Sequence, residues 1–170
     1  KPSESMLMIG ITGTSGKTSS TYMMKSVLDK AGYNTGLIGT VHIQYNGHDI
    51  PSEHTTPESM DLQKILADMR DEGVNAVVME VSSHSLYLDR VYGIRFNGAI
   101  FTNLSQDHLD FHKDFEHYFR AKEILFHRTE CSAINLDDPY GRRLMGLAEG
   151  NLLSFGISTA LTRAHNKVRC

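Results

Sequence analysis

The stretch MLMIGITGTSGKTSSTYMMKSVLDKAG, residues 6–32, decides the fold class of this chain. Met6–Thr12 is an apolar run without a helical period, which is typical of a buried β-strand. From Thr18 onward apolar residues recur at three- and four-residue spacings, and Gly32 supplies a stop, so a helix is predicted next. The recurring apolar residues are Tyr22, Met23, Val27, Leu28 and Ala31. The stretch is therefore a strand, a glycine loop and a helix.

The loop between them is Gly13-Thr14-Ser15-Gly16-Lys17-Thr18. Glycines let backbone N–H groups converge on an anion, and a helix N-terminus adds its partial positive charge. Lys17 can reach the outer phosphates of a nucleoside triphosphate, and the Thr18 hydroxyl can ligate magnesium. The longer pattern G-x-x-x-x-G-K-[ST] would need a glycine in place of Ile11, so this is a shortened form. We expect the loop to bind the phosphates of ATP together with Mg2+.

The rest of the sequence alternates β-rich and helical segments. Strands are predicted at 35–45, 74–81, 98–104, 133–136 and 152–157, and helices at 58–71, 114–128 and 139–148. Residues 46–57 contain Asn46-Gly47 and two prolines, which predicts turn and loop. This alternation predicts an α/β fold of the P-loop type, with three layers and a mostly parallel sheet covered by helices on both faces. A length of 170 residues suits one domain, residues 1–170.

Composition excludes several classes of function. The chain is 40% apolar and 22% charged, the profile of a soluble globular protein. A net charge of -3 argues against a general nucleic-acid partner. Apolar runs fall well short of the roughly 18 residues that cross a bilayer, so no membrane partner is expected. Two cysteines do not make a disulfide framework, which favours a reducing, cytoplasmic setting. Because the first residue is Lys1, the chain is expected to begin inside a longer protein.

Polar residues follow the predicted strands, at the edge where open parallel sheets collect their chemistry. Glu80 lies in the apolar run Val77–Val81, where a carboxylate is costly to bury unless it meets a cation. Metal ligation by Glu80 is therefore favoured over simple solvation at a strand end. The segment Asp107–His112 also has spacing that could hold zinc in a metallohydrolase, but that alternative does not explain the glycine loop. His112 by itself is expected to be a packing or surface histidine.

Lys122 raises a separate question. It falls on the apolar face of the predicted helix at 114–128, with Phe115, Tyr118, Phe119 and Phe126. Such a lysine can extend its ammonium to solvent. Alternatively, it is a functional lysine that faces the site with a perturbed or modified amine.

Taken together, five segments in this order resemble the Mur ligase family. They are Gly13–Thr18, His54–Pro57, Glu80–His84, Thr102–Asp110 and Ala121-Lys122, and the resemblance covers roughly residues 6–157. The order and gaps look like those of the central ATPase domain in the branch that adds the third residue of the peptidoglycan stem peptide. The resemblance implies an ATP-dependent amide ligase of cell wall synthesis, and hence of cell shape and division.

In that family the substrate carboxylate attacks the γ-phosphate of ATP, and the incoming amine then displaces phosphate from the acyl phosphate. The implied partners are ATP, UDP-N-acetylmuramoyl-L-alanyl-D-glutamate (a UDP-N-acetylmuramoyl-dipeptide) and an amino acid, L-lysine or meso-diaminopimelate.

The resemblance also implies residue roles. Lys17 would stabilise charge on the β- and γ-phosphates, Thr18 and Glu80 would hold one Mg2+, and His108 a second. Lys122 matches the family lysine that reacts with carbon dioxide to become a carbamate and a magnesium ligand. Asn135 resembles a position near adenine. The muramoyl-dipeptide contacts would be Thr55, Thr56, Ser82 and Arg90.

Some features depart from the family. Ser15 stands where many members have asparagine, and Leu88 where some carry a polar substrate contact. The N-terminal UDP-binding domain and the C-terminal amino-acid-binding domain do not fit in 170 residues, and the central domain itself is expected to be C-terminally truncated. The isolated chain is not expected to turn over fully.

Two alternatives remain. A folylpolyglutamate synthase or cyanophycin-type ligase shares the superfamily, but Glu80–His84 and Thr55–Pro57 favour the muramyl branch. The other alternative is a P-loop binding module or switch that hydrolyses its nucleotide slowly and signals through partners. The combination of Glu80, His108 and Lys122 favours chemistry over switching.

Overall fold

The computed structural model describes residues 1–107 and 111–157. The strands are β1 Leu7–Thr12, β2 Thr35–Ile38, β3 His42–Tyr45, β4 His48–Pro51, β5 Ala76–Glu80, β6 Phe96–Phe101, β7 Thr129–Asn135 and β8 Asn151–Phe155. The helices are α1 Lys17–Lys30, α2 Ser59–Asp71, α3 Ser83–Tyr87, α4 Phe115–Glu123 and α5 Pro139–Met145. Short 3-10 turns cover Pro2–Ser5 and Ile124–His127.

The strands form one sheet in the order β4-β3-β2-β5-β1-β6-β7-β8. β1 lies between β5 and β6 and is parallel to both, with Ile9 opposite Val78 on one side and Gly98 on the other. Met8 and Ile11 are fully buried, as expected for a parallel strand covered on both faces. The carboxyl ends of β1, β5 and β6 therefore meet at one edge of the sheet.

Helices cover both faces of the sheet, which confirms the predicted three-layer α/β fold. On one face a continuous core takes in side chains from α2, α4 and α5, for example Leu66, Phe119 and Leu144. On the other face α1 packs through Leu28 against a smaller apolar cluster that includes Val78.

Most of the recurring apolar residues of α1 do not lie on its buried face. Leu28 and Thr21 are buried, whereas Met23 and Val27 are 62% and 61% exposed. Tyr22 and Ala31 are exposed as well. Thr21 can be buried because its hydroxyl donates to the Lys17 carbonyl within the same helix, at 2.8 Å. A threonine whose hydroxyl is hydrogen-bonded within the helix therefore lies on the buried face of α1.

The sheet is not parallel throughout. The segment predicted as one strand at 35–45 forms two strands, β2 and β3, which are antiparallel and separated by a turn at Gly39–Val41. The predicted loop contains β4, which pairs antiparallel with β3. Asn46 and Gly47 join β3 to β4 with φ values of 45° and 84°, as a tight hairpin requires. The result is a parallel sheet with an antiparallel edge.

Smaller differences affect the other elements. α3 was not predicted, and β7 begins at Thr129, before the predicted start at residue 133. The helix predicted at 114–128 is α-helical to Glu123 and then tightens into a 3-10 turn. Within residues 1–107 and 111–157, the helices are too short or too polar to span a bilayer.

The close contact between α5 and the end of β7 predicts an asymmetric response to two glycine substitutions. A Cβ on Gly141 would overlap the Asn135 carbonyl oxygen, whereas a Cβ on Gly146 would lie 3.5 Å from its nearest neighbour, the Arg143 carbonyl oxygen. Because the Asn135 carbonyl cannot move away without shifting the backbone of β7, Gly141→Ala should lower the free energy of unfolding by about 1–3 kcal/mol. Gly146→Ala should leave it nearly unchanged. Urea unfolding of both variants tests this, and equal effects would contradict the packing described.

Candidate functional site

The glycine loop lies directly after β1 and opens α1, as predicted. Gly16 adopts a left-handed conformation with φ 83°, which glycine adopts without strain. A Cβ on Gly13 would overlap the Thr102 hydroxyl, so close approach of β6 requires glycine there. Within the described residues, Gly16 caps α1 without a side-chain hydrogen bond. The first-turn N–H groups of α1 therefore remain suited to an anion.

The end of β6 holds the loop in shape. The Asn103 side chain accepts from the Ser15 N–H and donates to the Ser15 carbonyl, both at 3.0 Å. The Asn103 backbone carbonyl accepts from the Thr14 N–H at 2.9 Å. Thr102 donates its hydroxyl to the same Ser15 carbonyl at 2.8 Å. Sequence reasoning assigned no role to Asn103, although its place just beyond a strand next to β1 was a usable signal.

Two lysines converge on one carbonyl of the loop. Lys17 Nζ donates to the Gly13 carbonyl at 3.0 Å and to the Thr14 carbonyl at 2.8 Å. Lys122 Nζ donates to the same Gly13 carbonyl at 2.9 Å and lies 4.5 Å from the centre of the Tyr118 ring. Lys122 is only 2% exposed, so it faces the site and does not extend to solvent.

Burial changes the chemistry of both amines. It lowers the pKa of Lys17, against the attraction of Glu80 and then Asp107. It brings the pKa of Lys122 well below its ordinary value, and repulsion from Lys17 adds to this effect while Asp107 opposes it. Lys122 is thus an amine that loses its proton far more readily than a surface lysine.

Glu80 is buried at the end of β5, with 1% exposure. Its Oε1 accepts from the Thr18 hydroxyl at 3.0 Å and from the Thr40 N–H at 2.9 Å. Its Oε2 accepts from the Thr40 hydroxyl at 3.0 Å. Gly39 leaves room for this, because a Cβ there would lie 2.7 Å from Oε1. Thr40 was missed because nothing in its local sequence connects it with a residue forty positions away.

The donor set fits Mg2+ in part. The Thr18 hydroxyl and Glu80 carboxylate bring together the hard oxygen ligands that Mg2+ prefers. Among the described residues, His, Cys, Asp and Glu side chains do not form a metal-holding group of three or more. The predicted ligand His108 lies outside the described residues. His112, which was expected to be a packing or surface histidine, is fully buried.

The four predicted substrate residues gather around the end of β5. The Thr56 hydroxyl donates to the Glu80 carbonyl at 2.9 Å and accepts from the Ser82 N–H at 3.2 Å. Arg90 Nη1 donates to the Thr56 carbonyl at 3.4 Å. The Thr55 hydroxyl lies within hydrogen-bonding distance of the Thr40 hydroxyl, at 3.1 Å. The group is one hydrogen-bonded unit next to the Glu80 carboxylate.

Two of these residues have further partners. The Ser82 hydroxyl caps α3 by accepting from the Ser85 N–H at 3.1 Å. Arg90 forms an ion pair with Glu58 at 2.6 Å. A substrate carboxylate that binds Arg90 would therefore share or replace the Glu58 contact.

Asn135 lies at the end of β7, two strands from β1. Its side-chain amide donates to the Thr102 carbonyl at 2.8 Å, and its Oδ1 accepts from the Asp137 N–H at 3.0 Å. These contacts place Asn135 on the edge that carries the loop, tied to β6.

The buried Lys122 amine predicts a specific pH dependence of stability. Its pKa in the folded chain lies below the ordinary 10.5, so between the two values the unfolded chain binds more protons. The free energy of unfolding of the wild type, relative to Lys122→Met, should therefore rise as the pH increases towards 10.5. Urea unfolding of both proteins at pH 7 and at higher pH tests this. Because both proteins contain Lys17, the difference between them reports on Lys122. A difference that does not change with pH would contradict it.

Comparison with known proteins shows what the chain is similar to. It is 58% identical over 156 residues to the UDP-N-acetylmuramoyl-L-alanyl-D-glutamate--2,6-diaminopimelate ligase of Clostridium botulinum, covering 92% of this chain and 32% of that protein. The Streptomyces avermitilis enzyme of the same name is 50% identical over 156 residues, covering 91% and 31%. The chain thus spans about a third of the length of these relatives.

Solved structures agree on the fold. A structure of a UDP-N-acetylmuramoyl-L-alanyl-D-glutamate--2,6-diaminopimelate ligase matches with a TM-score of 0.83 at 28% identity, over 91% of this chain and 32% of that chain. The folylpolyglutamate synthase of Mycobacterium tuberculosis, solved with ADP and AMPPCP, matches with a TM-score of 0.69 at 18% identity, over 93% and 44%, and shares the fold alone. Residues 11–169 match the Mur ligase middle domain, and the chain belongs to that family.

Proposed function

We propose that this chain is the central ATP-binding domain, residues 1–170, of a cytoplasmic ligase that joins 2,6-diaminopimelate to UDP-N-acetylmuramoyl-L-alanyl-D-glutamate. The observation that carries the proposal is the convergence of Lys17 and Lys122 on the glycine loop beside the buried Glu80. Relatives with 58% and 50% identity that bear this name support the choice of substrates and of the amino acid over L-lysine. Parts of the parent protein outside this stretch would hold the uridine end and the amino acid.

The glycine loop would bind the ATP phosphates. The α1 N-terminus offers first-turn N–H groups, and the half-buried Lys17 amine lies at the same place. Asn103 keeps the loop backbone fixed, so the loop is not reorganised when charge develops. Ser15 in place of asparagine is compatible with this, because the loop acts through its backbone. Asn135 would lie near the adenine.

Thr18 and Glu80 would hold one Mg2+, and His108 and a modified Lys122 a second. The bound ions would neutralise phosphate charge and polarise the γ-phosphate for attack. In the chain itself, Thr40 fixes both Glu80 oxygens, so the carboxylate is already oriented.

The environment of Lys122 suits carbamate formation. A neutral amine attacks the carbon of carbon dioxide, an N–C bond forms and the amine loses a proton, which leaves a carbamate anion. The lowered pKa of Lys122 supplies the neutral amine, and Lys17 stabilises the anion that results. The modification places a carbamate anion near the Lys17 ammonium, so the two side chains attract each other.

The residues around the end of β5 would orient the substrate carboxylate. Arg90 would bind it in competition with Glu58, and Thr55 and Ser82 would line its approach, while Thr56 braces them from within the fold. The carboxylate oxygen attacks the γ-phosphorus, and the bond to ADP breaks. The amine then attacks the acyl carbon, the C–N bond forms, phosphate leaves and the amine nitrogen loses a proton.

Substitution of Lys17 in the full-length parent tests the ligase assignment. UDP-N-acetylmuramoyl-dipeptide with diaminopimelate should stimulate phosphate release, and Lys17→Ala should reduce kcat by about 10²–10³ through loss of a transition-state contact. Lys25→Ala is the control, because Lys25 pairs with Asp29 on the surface of α1. Turnover that survives in Lys17→Ala would contradict phosphate binding by the loop. Stimulation by folate and glutamate instead would assign the protein to the folylpolyglutamate branch.

Detection of the carbamate tests the role of Lys122. ¹³C-labelled bicarbonate should give a carbamate signal in the parent that disappears in Lys122→Ala and persists in Lys30→Ala, a change on the exposed end of α1. The activity of Lys122→Ala should be largely lost and partly restored by short-chain carboxylic acids. Full activity of Lys122→Ala without added acid would remove this residue from the mechanism.

A further inference from the structure

His112 contacts two different helices of the site, α3 and α4. The ring is fully buried, its Nε2 lies 2.9 Å from the Ser83 hydroxyl, and its Nδ1 lies 3.1 Å from Nδ1 of His117. Ser83 opens α3 and is 1% exposed, while His117 lies in the first turn of α4. Both ring nitrogens of a buried histidine are therefore engaged, one towards each helix.

The contacts fix more than the position of the ring. When two neutral imidazoles meet through Nδ1, one must donate and the other accept, so the proton on one ring determines the tautomer of the other. If His112 donates to His117, its Nε2 accepts from the Ser83 hydroxyl, and the reverse arrangement is also complete. In both arrangements α3 is joined to α4 by directed hydrogen bonds.

A second set of contacts leads from His112 to the phosphate loop. The Tyr118 ring centre lies 5.0 Å from that of His112. The Tyr118 hydroxyl is 3.1 Å from the Thr14 hydroxyl, and its ring is 4.5 Å from Lys122 Nζ. Thr14 in turn accepts from the Ser105 N–H at 3.0 Å. His112 thus lies between Ser83, adjacent to Ser82, and the side chains that surround the loop.

We propose that His112 is a positioning residue that sets α3, and with it Ser82 and Arg90, against α4 and Lys122 for binding of the muramoyl-dipeptide carboxylate. The proposal rests on the proposed ligase function. Arg90 belongs to the same unit, because its N–H donates to the Ser85 carbonyl of α3 at 2.9 Å. A shift of α3 would therefore move Ser82 and Arg90 together, and the phosphate loop would keep its own support from Asn103.

Three substitutions separate positioning from packing. His112→Phe keeps a buried ring and loses both hydrogen bonds. His112→Gln places an amide near the position of Nε2 and can still reach Ser83, whereas His112→Asn places it near Nδ1 and can reach only His117. His127→Phe is the matched control, since the His127 side chain is 45% exposed.

In the full-length parent, His112→Phe should raise the KM for UDP-N-acetylmuramoyl-dipeptide by about tenfold, the cost of losing the buried hydrogen bond to Ser83, and leave the KM for ATP within about twofold. His112→Gln should restore most of the loss, and His112→Asn should not. Ser83→Ala should raise the same KM, and the double variant Ser83→Ala/His112→Phe should be no worse than His112→Phe alone. Equal changes in both KM values, additive effects, or rescue by His112→Asn and not by His112→Gln would overturn the proposal.

Amide hydrogen exchange distinguishes failure of this proposal from failure of the ligase assignment. Exchange in residues 83–90 should be faster in His112→Phe than in wild type, while exchange in α1 is unchanged. Unchanged exchange in residues 83–90 would overturn the coupling whatever the substrate. Faster exchange in a parent that the muramoyl-dipeptide does not stimulate would instead contradict the ligase function and with it the proposed purpose of the coupling.

Discussion

The carbonyl oxygen of Gly13 accepts hydrogen bonds from the Nζ atoms of two lysines, Lys17 and Lys122, and the rest of the site depends on this arrangement. Two ammonium groups so close together would repel each other and lose solvation, so the almost fully buried Lys122 loses its proton more readily than a surface lysine. The chain offsets this with the buried carboxylate of Glu80 and the charge of Asp107, both of which attract Lys17. Phosphate groups bound to the loop, as proposed, would stabilise the Lys17 ammonium, and a carbamate on Lys122 would add a negative charge near it.

The parallel sheet makes this arrangement possible. β1, β5 and β6 end at the same edge, so the glycine loop, Glu80 and Asn103 meet although they are distant in sequence. Hydrogen bonds between strand ends then fix the backbone of the loop, and Thr40 fixes Glu80. The glycine loop and Glu80 are therefore held in place by the sheet itself. The neighbouring unit of Thr56, Ser82 and Arg90 is attached to the same edge through the Glu80 carbonyl.

The two halves of the site are supported in different ways. The glycine loop is held by hydrogen bonds with Thr102 and Asn103 beyond the end of β6, and these do not involve α3. The half that would bind the carboxylate substrate depends on α3, a helix of 5 residues that gains its place from His112 and from its Ser82 cap. This division is consistent with an enzyme in which nucleotide binding and acceptance of the second substrate are separately adjustable.

Local interactions were readable from the sequence by itself. The strand, glycine loop and helix follow from apolar periodicity and from the conformational freedom of glycine, and the burial of Glu80 follows from its apolar neighbours. The sequence Asn46-Gly47 is also a local signal for the β3–β4 hairpin, although only turn and loop were predicted there. Only the tertiary structure decided which face of α1 is buried, that Lys122 turns inward to Gly13, and that Thr40, Asn103 and His112 support the site. These features depend on contacts between residues far apart in the chain. The spacing of residues along one helix or strand does not indicate which distant residue will contact them.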